Sequence, residues 1–161
     1  MMEMIGKCSS YPCQLENGVP QGSVLSVTLF LVAINDILCC TNNNVKGLLY
    51  ADDLVIFCSG KQQIPRLRKI LVTLSKLESW CNINGFQFSV EKTVAVTFSR
   101  KRENRDNIEN LTLFNQQIPF CRQNKFLGVI LDKSLTFRDH ILHIKAKSNN
   151  TDLNTNLCLG F

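Results

Sequence analysis

Apolar residues recur at helical spacing along three stretches of this chain and form short runs bounded by turn residues elsewhere, a pattern that predicts an α+β order of elements. Between Ser23 and Leu38, the residues Val24, Leu25, Leu29, Phe30, Val32, Ala33, Ile37 and Leu38 predict a well-buried helix. Its start falls near Gly22 and Ser23, after the turn residues Asn17, Gly18, Pro20 and Gly22. The second helix has the clearest pattern. Pro65 suits its first turn, Leu67, Ile70, Leu71, Leu74, Leu77 and Cys81 share one face, and Arg66, Lys69, Lys76 and Ser79 stay solvated. Gly85 supplies a stop. A third helix starts at Thr136, where Thr136 and Asp139 have capping-box spacing and Phe137, Ile141 and Ile144 mark the apolar side.

Strands are predicted at Leu48 to Tyr50 and Leu54 to Phe57, forming a hairpin, and at Val94 to Phe98, Leu111 to Phe114 and Phe126 to Leu131. Ile5 to Gln14 is a strand or hairpin candidate broken by Ser9, Ser10 and Pro12. Asn42 to Asn44 and the charged stretch Ser99 to Asn107 read as loops, and beyond Lys147 the Asn- and Thr-rich tail loses its pattern.

Composition bounds the chain. With 161 residues, 45% of them hydrophobic, it is globular and forms one compact domain or a piece of a larger one. A net charge of +5 permits a polyanionic partner without requiring one. Met1 to Cys13 contains no apolar core long enough for a signal peptide, and the longest apolar stretch, VLSVTLFLVAINDIL, falls short of a membrane span, so an intracellular setting, nuclear or cytoplasmic, is expected, with no secretion and no membrane partner. Eight cysteines occur without a CxxC pair and with Cys39 and Cys40 adjacent, which favours buried free thiols over disulfides or zinc.

The candidate chemistry lies in GLLYADDLVIF, where Asp52 and Asp53 interrupt an apolar run. Two readings stand side by side. A hairpin turn accommodates Asp, but adjacent like charges repel, and a divalent cation removes that difficulty because hard cations take carboxylate oxygens together with substrate phosphates.

Three further stretches accompany this pair: NGVPQGSVLSVTLF at Asn17 to Phe30, GFQFSVEKT at Gly85 to Thr93, and FLGVILDKSLTFRDHI at Phe126 to Ile141. Together with YADD, and in this order, they resemble the palm domain of reverse transcriptases, most closely those of jockey-type non-LTR retrotransposons. The resemblance runs from Gly18 to about Lys147. It implies an RNA-directed DNA polymerase in which the YADD hairpin presents Asp52 and Asp53 to two Mg²⁺ ions, with Mn²⁺ as a possible substitute. Those ions clamp the primer 3′-hydroxyl and the leaving pyrophosphate. The implied fold is a partial palm over residues 1–134, a small antiparallel sheet with helices packed on one face, and the start of a thumb over residues 135–161.

The resemblance also implies roles for further residues. Gly18, Pro20, Gln21, Gly22 and Ser23 match a template and nucleotide platform, although Gly22 and Ser23 equally suit an ordinary helix start. Tyr50 and Ala51, with Phe126, Leu127 and Gly128, match surfaces facing the primer. Lys92 matches a lysine that steadies or protonates pyrophosphate, with a solvated surface lysine as the alternative. Lys133, Arg138, Lys145 and Lys147 are candidates for phosphate contacts, whereas His140 and His143 lack metal-site spacing and suit packing or capping.

Two departures matter. Val27 stands where related elements carry proline. The resembling family also has a third catalytic aspartate many tens of residues upstream of GVPQG, on a strand for which Met1 to Asn17 offers no match. The implied partners are therefore an RNA template, a DNA primer, dNTP and the remaining fingers and palm of a parent polyprotein. The expectation is a polymerase fragment inactive as an isolated chain; the alternative is a non-catalytic retrotransposon remnant acting at most as a nucleic-acid-binding or scaffold module.

Overall fold

The structure, a computed structural model, describes residues 4–5, 8–9, 18–20, 22–42, 44–99 and 110–152. Those residues form an α+β chain of three α-helices, one 3-10 turn and ten short strands paired two by two. The chain divides into two compact units, Met1–Asn84 and Gly85–Phe161.

In the first unit, β1 (Met4–Ile5) pairs antiparallel with β2 (Cys8–Ser9), overlapping the candidate Ile5 to Gln14 stretch, of which only Ile5, Cys8 and Ser9 are among the described residues. Helix α1 (Val24–Ile34) is followed by the 3-10 turn Ile37–Cys40. The Asn42 side-chain oxygen accepts the amide hydrogens of Asn44 and Val45, an Asx turn that delivers the chain into β3 (Lys46–Tyr50). A two-residue turn then leads to the antiparallel partner β4 (Asp53–Phe57). Helix α2 (Gln63–Asn84) ends at Gly85, whose φ of +71° makes it a left-handed stop, as the sequence predicts.

The core of this unit lies along α2. Leu67, Leu74, Leu77 and Cys81 are buried as expected, joined by Thr73 and Trp80. Thr73 satisfies its buried hydroxyl by donating to the Lys69 carbonyl at 3.0 Å. The Trp80 indole N–H donates to Asp36 Oδ1 at 3.0 Å, which ties α2 to the residue opening the 3-10 turn. That turn in turn lies against β3: a Cβ at Gly47 would sit 2.6 Å from Leu38 Cδ2 and 3.1 Å from Thr41 Cγ2. Two helices packed on one face of a small sheet were expected. Instead, the 3-10 turn touches both α2 and β3, and β3 and β4 form a ladder by themselves.

Helix α1 departs furthest from expectation. Its inward stripe is Ser26, Phe30 and Ile34, spaced four residues apart, of which Ser26 and Ile34 are buried and Phe30 half-buried. Most of the apolar residues that predict burial lie off that stripe and are exposed.

In the second unit, β5 (Ala95–Val96) pairs in parallel with β8 (Phe120–Cys121). β6 (Thr112–Leu113) and β7 (Gln116–Gln117) form a hairpin around Phe114 and Asn115, whose φ values are +49° and +60°. β9 (Gln123–Phe126) and β10 (Val129–Asp132) form another around Leu127 and Gly128, at +45° and +85°. Both have the sign pattern of type I′ turns, the class whose twist matches paired strands. The strand predicted over Phe126 to Leu131 is thus split by a turn. Leu111, Leu113 and Ile118 form the buried centre of this unit. The charged loop predicted from Ser99 lies outside the described residues beyond Ser99 itself.

Helix α3 (Arg138–Asp152) begins two residues later than predicted, and the capping box is not its organiser. Phe137 has φ +57°, outside the helical region, so Thr136 is displaced from the cap position. Asp132 takes over. Its Oδ2 accepts from the Ser134 amide, the Thr136 amide and the Thr136 hydroxyl at 3.1–3.2 Å, and its Oδ1 accepts from the Phe137 amide at 2.8 Å. The expected apolar side of α3, including Ile141 and Ile144, is exposed, and the helix runs past Lys147.

Candidate functional site

The YADD stretch forms the end of the β3–β4 hairpin. Tyr50 pairs with Asp53 across the ladder, leaving Ala51 and Asp52 as the two turn residues. Ala51 has φ +49°, the positive first turn position that type II′ hairpins require. Alternation along the strands puts Leu48, Tyr50, Asp53, Val55 and Phe57 on one face and Gly47, Leu49, Leu54 and Ile56 on the other. The second face carries the contact of Gly47 with the 3-10 turn.

Both carboxylates are exposed, and among the described residues neither has a hydrogen-bond or ion-pair partner. Apolar flanks of this kind seek burial, yet no hairpin residue is fully buried: Leu48 is 55% and Tyr50 65% exposed. Tyr50 therefore contributes surface rather than packing. The face bearing Asp53 is open, an acidic tip on an apolar shoulder.

A second cluster lies around Pro20. Its carbonyl accepts from the Ser26 hydroxyl and from the Ser23 amide at 3.3 Å, which folds the loop back onto the first turn of α1. Gly18 and Gly22 have φ +85° and +84° with open space where a Cβ would point, so conformation, not internal crowding, calls for glycine. Ser23 is the N-cap of α1 but makes no side-chain cap bond. Gln21 lies outside the described residues.

In the second unit, Lys92 is exposed in a turn closed by the Thr93 amide donating to the Val90 carbonyl at 3.1 Å. Phe126 is half-buried, while Leu127 and Gly128 project as the exposed tip of the β9–β10 hairpin. His140 Nδ1 accepts the Ile130 amide hydrogen at 3.4 Å, so that side chain braces α3 against β10 rather than offering a ligand. Asp132 is held below the ordinary carboxylate value: residual desolvation raises it, but the hydrogen bonds from Thr136, Phe137 and Ser134 outweigh that effect.

Cys39, Cys40, Cys58, Cys81 and Cys121 are free thiols, but of these only Cys81 is buried, which corrects the expectation of burial. Burial, with Asp36 and Cys39 nearby, pushes the Cys40 thiol up. Sequence reasoning did not single out Asp36, Trp80 or Gly47. An isolated glycine in an apolar strand does signal close backbone approach, and would have found Gly47. The Trp80–Asp36 link spans 44 positions and leaves no local signal.

Comparison with known proteins decides the family. The family described as reverse transcriptase (RNA-dependent DNA polymerase) matches residues 1–131. The chain belongs to the reverse transcriptase family. Among curated relatives, the RNA-directed DNA polymerase from mobile element jockey of Drosophila funebris is 30% identical over 146 residues, covering 86% of this chain and 15% of its own length. Its Drosophila melanogaster counterpart is 29% identical, covering 80% and 14%. The probable RNA-directed DNA polymerase from transposon BS, also of Drosophila melanogaster, is 31% identical, covering 82% and 15%. The chain thus spans about 15% of the length of these reverse transcriptase relatives. No solved structure gives a significant match. No helix among the described residues is long and apolar enough to cross a membrane.

Proposed function

We propose that this chain is the middle and end of a reverse transcriptase palm, residues 1–134, with the start of the thumb, residues 135–161. In this reading it serves deoxynucleotide transfer to a primer 3′-hydroxyl on an RNA template, inside the cell in the nucleus or cytoplasm. The observation that carries the proposal is the pair of free, exposed carboxylates, Asp52 and Asp53, side by side at the end of a two-residue hairpin within the family match. The donor set fits Mg²⁺, with Mn²⁺ as a substitute, because hard cations take carboxylate oxygens and complete their shell with water and substrate phosphate. When bound, such ions supply charge stabilisation at the attacking 3′-oxygen and at the departing pyrophosphate.

The chain's own residues then have distinct tasks. Asp52 is the principal ligand and Asp53 its neighbour; the short turn fixes both before substrate arrives, so little reorganisation accompanies reaction. Tyr50 and Ala51 face the primer from the open side of the hairpin. Gly18, Pro20, Gln21, Gly22 and Ser23 bear on template and nucleotide, with the Pro20 carbonyl and Ser26 hydroxyl holding that loop to α1. Phe126, Leu127 and Gly128 place a second hairpin tip against the primer. Lys92 steadies or protonates pyrophosphate.

A site of two carboxylates is incomplete. In this proposal two carboxylates do not suffice to hold both ions, and the isolated chain is inactive. The remaining palm and fingers of a parent polyprotein supply the third carboxylate.

Primer extension on an RNA template with Mg²⁺ or Mn²⁺ tests the proposal. The chain alone should give no product, and the chain with the missing palm and fingers should restore synthesis that Asp52→Asn abolishes. Restored synthesis indifferent to Asp52→Asn overturns the assignment. No synthesis in any arm, with salt-sensitive binding to primer-template, selects a non-catalytic binding module instead.

A further inference from the structure

Helix α3 is held to the β9–β10 hairpin chiefly by polar groups. Of residues 138–149, His140 alone is not exposed, while Ile141, Leu142 and Ile144 are 63%, 53% and 47% exposed. The ladder explains what His140 does. Phe126 and Val129 close a two-residue turn and so exchange hydrogen bonds with each other, which leaves Ile130, the next residue, with its N–H turned away from β9. The Lys133 amide returns to the Arg122 carbonyl, as that alternation requires. His140 Nδ1 accepts the outward Ile130 N–H at 3.4 Å.

Asp132 supplies a second hold. Its carboxylate accepts from the amides of Ser134, Thr136 and Phe137 and from the Thr136 hydroxyl, and so fastens the segment joining β10 to α3. Within that segment Leu135 and Phe137 have φ +52° and +57°, values an L residue keeps only where its surroundings impose them. The two holds also fix which side of α3 looks outward. At 100° per residue, Arg138 and Lys145 stand about 160° and 140° round the helix from His140, and Lys147 about 20° from it. Pinning His140 to the edge of β10 turns Arg138 and Lys145 away from the hairpin and keeps Lys147 on the hairpin side.

We infer that Asp132 and His140 are positioning residues: together they fix the turn of α3 about its own axis, and so decide which of its cations meet the phosphates of a primer-template duplex. This rests on the proposed polymerase reading. Neither residue touches nucleic acid in this role. They supply preorganisation, because a helix already turned the right way loses little freedom when the duplex binds.

The test is binding of a DNA primer annealed to an RNA template by the full 161-residue chain over a range of salt. In the unaltered background, Arg138→Ala and Lys145→Ala should each flatten the logarithmic salt slope by about 0.9, and Lys147→Ala should leave it unchanged. Asp132→Ala or His140→Leu leaves a single hold about which α3 swivels. Two phosphate contacts are then shared among three cations, and each Ala variant should flatten the slope by about 0.6. His140→Asn should keep the unequal pattern, because Asn Oδ1 stands as far along its side chain as Nδ1 and accepts in its place. Leu is the better helix former, so rescue by Asn and not by Leu separates positioning from helix stability. Protection of the Ile130 amide, relative to its intrinsic exchange rate, should follow the same order, while circular dichroism still reports the helices. Three results overturn the inference: an unequal pattern that survives Asp132→Ala or His140→Leu, equal effects in the unaltered background, or His140→Asn protecting Ile130 without restoring the pattern. Primer extension with the missing palm and fingers separates this from the polymerase reading. Synthesis alongside any of those results removes the positioning role alone, whereas neither binding nor synthesis by a chain whose Ile130 amide stays protected removes both.

Discussion

Gly47 and Gly128 show how the same residue answers two different physical demands. Gly47 is needed for space, since a Cβ there would meet Leu38 Cδ2 at 2.6 Å. Gly128 is needed for its φ of +85°, with nothing within 4 Å of where a Cβ would point. Gly47→Ala should therefore destabilise the first unit by about 1–3 kcal/mol through overpacking, and by less in a Leu38→Ala background; a urea double-mutant cycle reads the coupling. Gly128→Ala should cost about 1–2 kcal/mol whatever its neighbours are, because the strain is in its own backbone. Asp132 offers a pH test at the same scale. Its folded value lies below the ordinary one, so its contribution is present above the unfolded value of about 3.9 and is lost as pH falls through the lower folded value. Protection of the Ser134, Thr136 and Phe137 amides, relative to their intrinsic exchange rates, should fall as the pH drops through that range. Asp132→Asn should remove most of this pH dependence.

Among the elements, α2 and the Asp hairpin were legible because their signals are local. A helical period, a proline in the first turn and a left-handed glycine stop define α2, and a run of strand formers around two turn residues defines the hairpin. The hairpins of the second unit were not, because Phe114 and Leu127 occupy positive φ positions that usually announce themselves by Gly or Asn. The exposure of α1 escaped for another reason: periodicity reports which residues seek cover, not whether cover is at hand. Trp80 was invisible because its partner Asp36 lies on another element. That link joins α2 to the 3-10 turn, and so, through Leu38 and Gly47, to the strand leading to Asp52. Trp80→Phe keeps an aromatic ring but deletes the N–H and the smaller ring of the indole, and should cost about 1–2 kcal/mol in urea unfolding. Trp80→Ala also opens a cavity and should cost about 3–5 kcal/mol.

Under the proposed polymerase reading, the decisive quantity at the scale of the whole molecule is how its positive charge is arranged, not that it sums to +5. Arg138 and Lys145 lie seven residues apart on α3 and share a face, whereas Lys147 falls on nearly the opposite side. A nucleic-acid backbone lying along one side of a rigid α3 can therefore meet the first two and not the third. The logarithm of affinity for a primer-template duplex falls with the logarithm of salt by about 0.9 for each phosphate contact. Arg138→Ala and Lys145→Ala should each flatten that slope by about this amount, and Lys147→Ala should leave it unchanged. Equal effects at all three positions would mean that α3 does not present one fixed face to the backbone, and that binding reflects diffuse charge. The pattern across the three variants thus distinguishes an oriented nucleic-acid-binding surface from a merely basic one, even where the isolated chain makes no product.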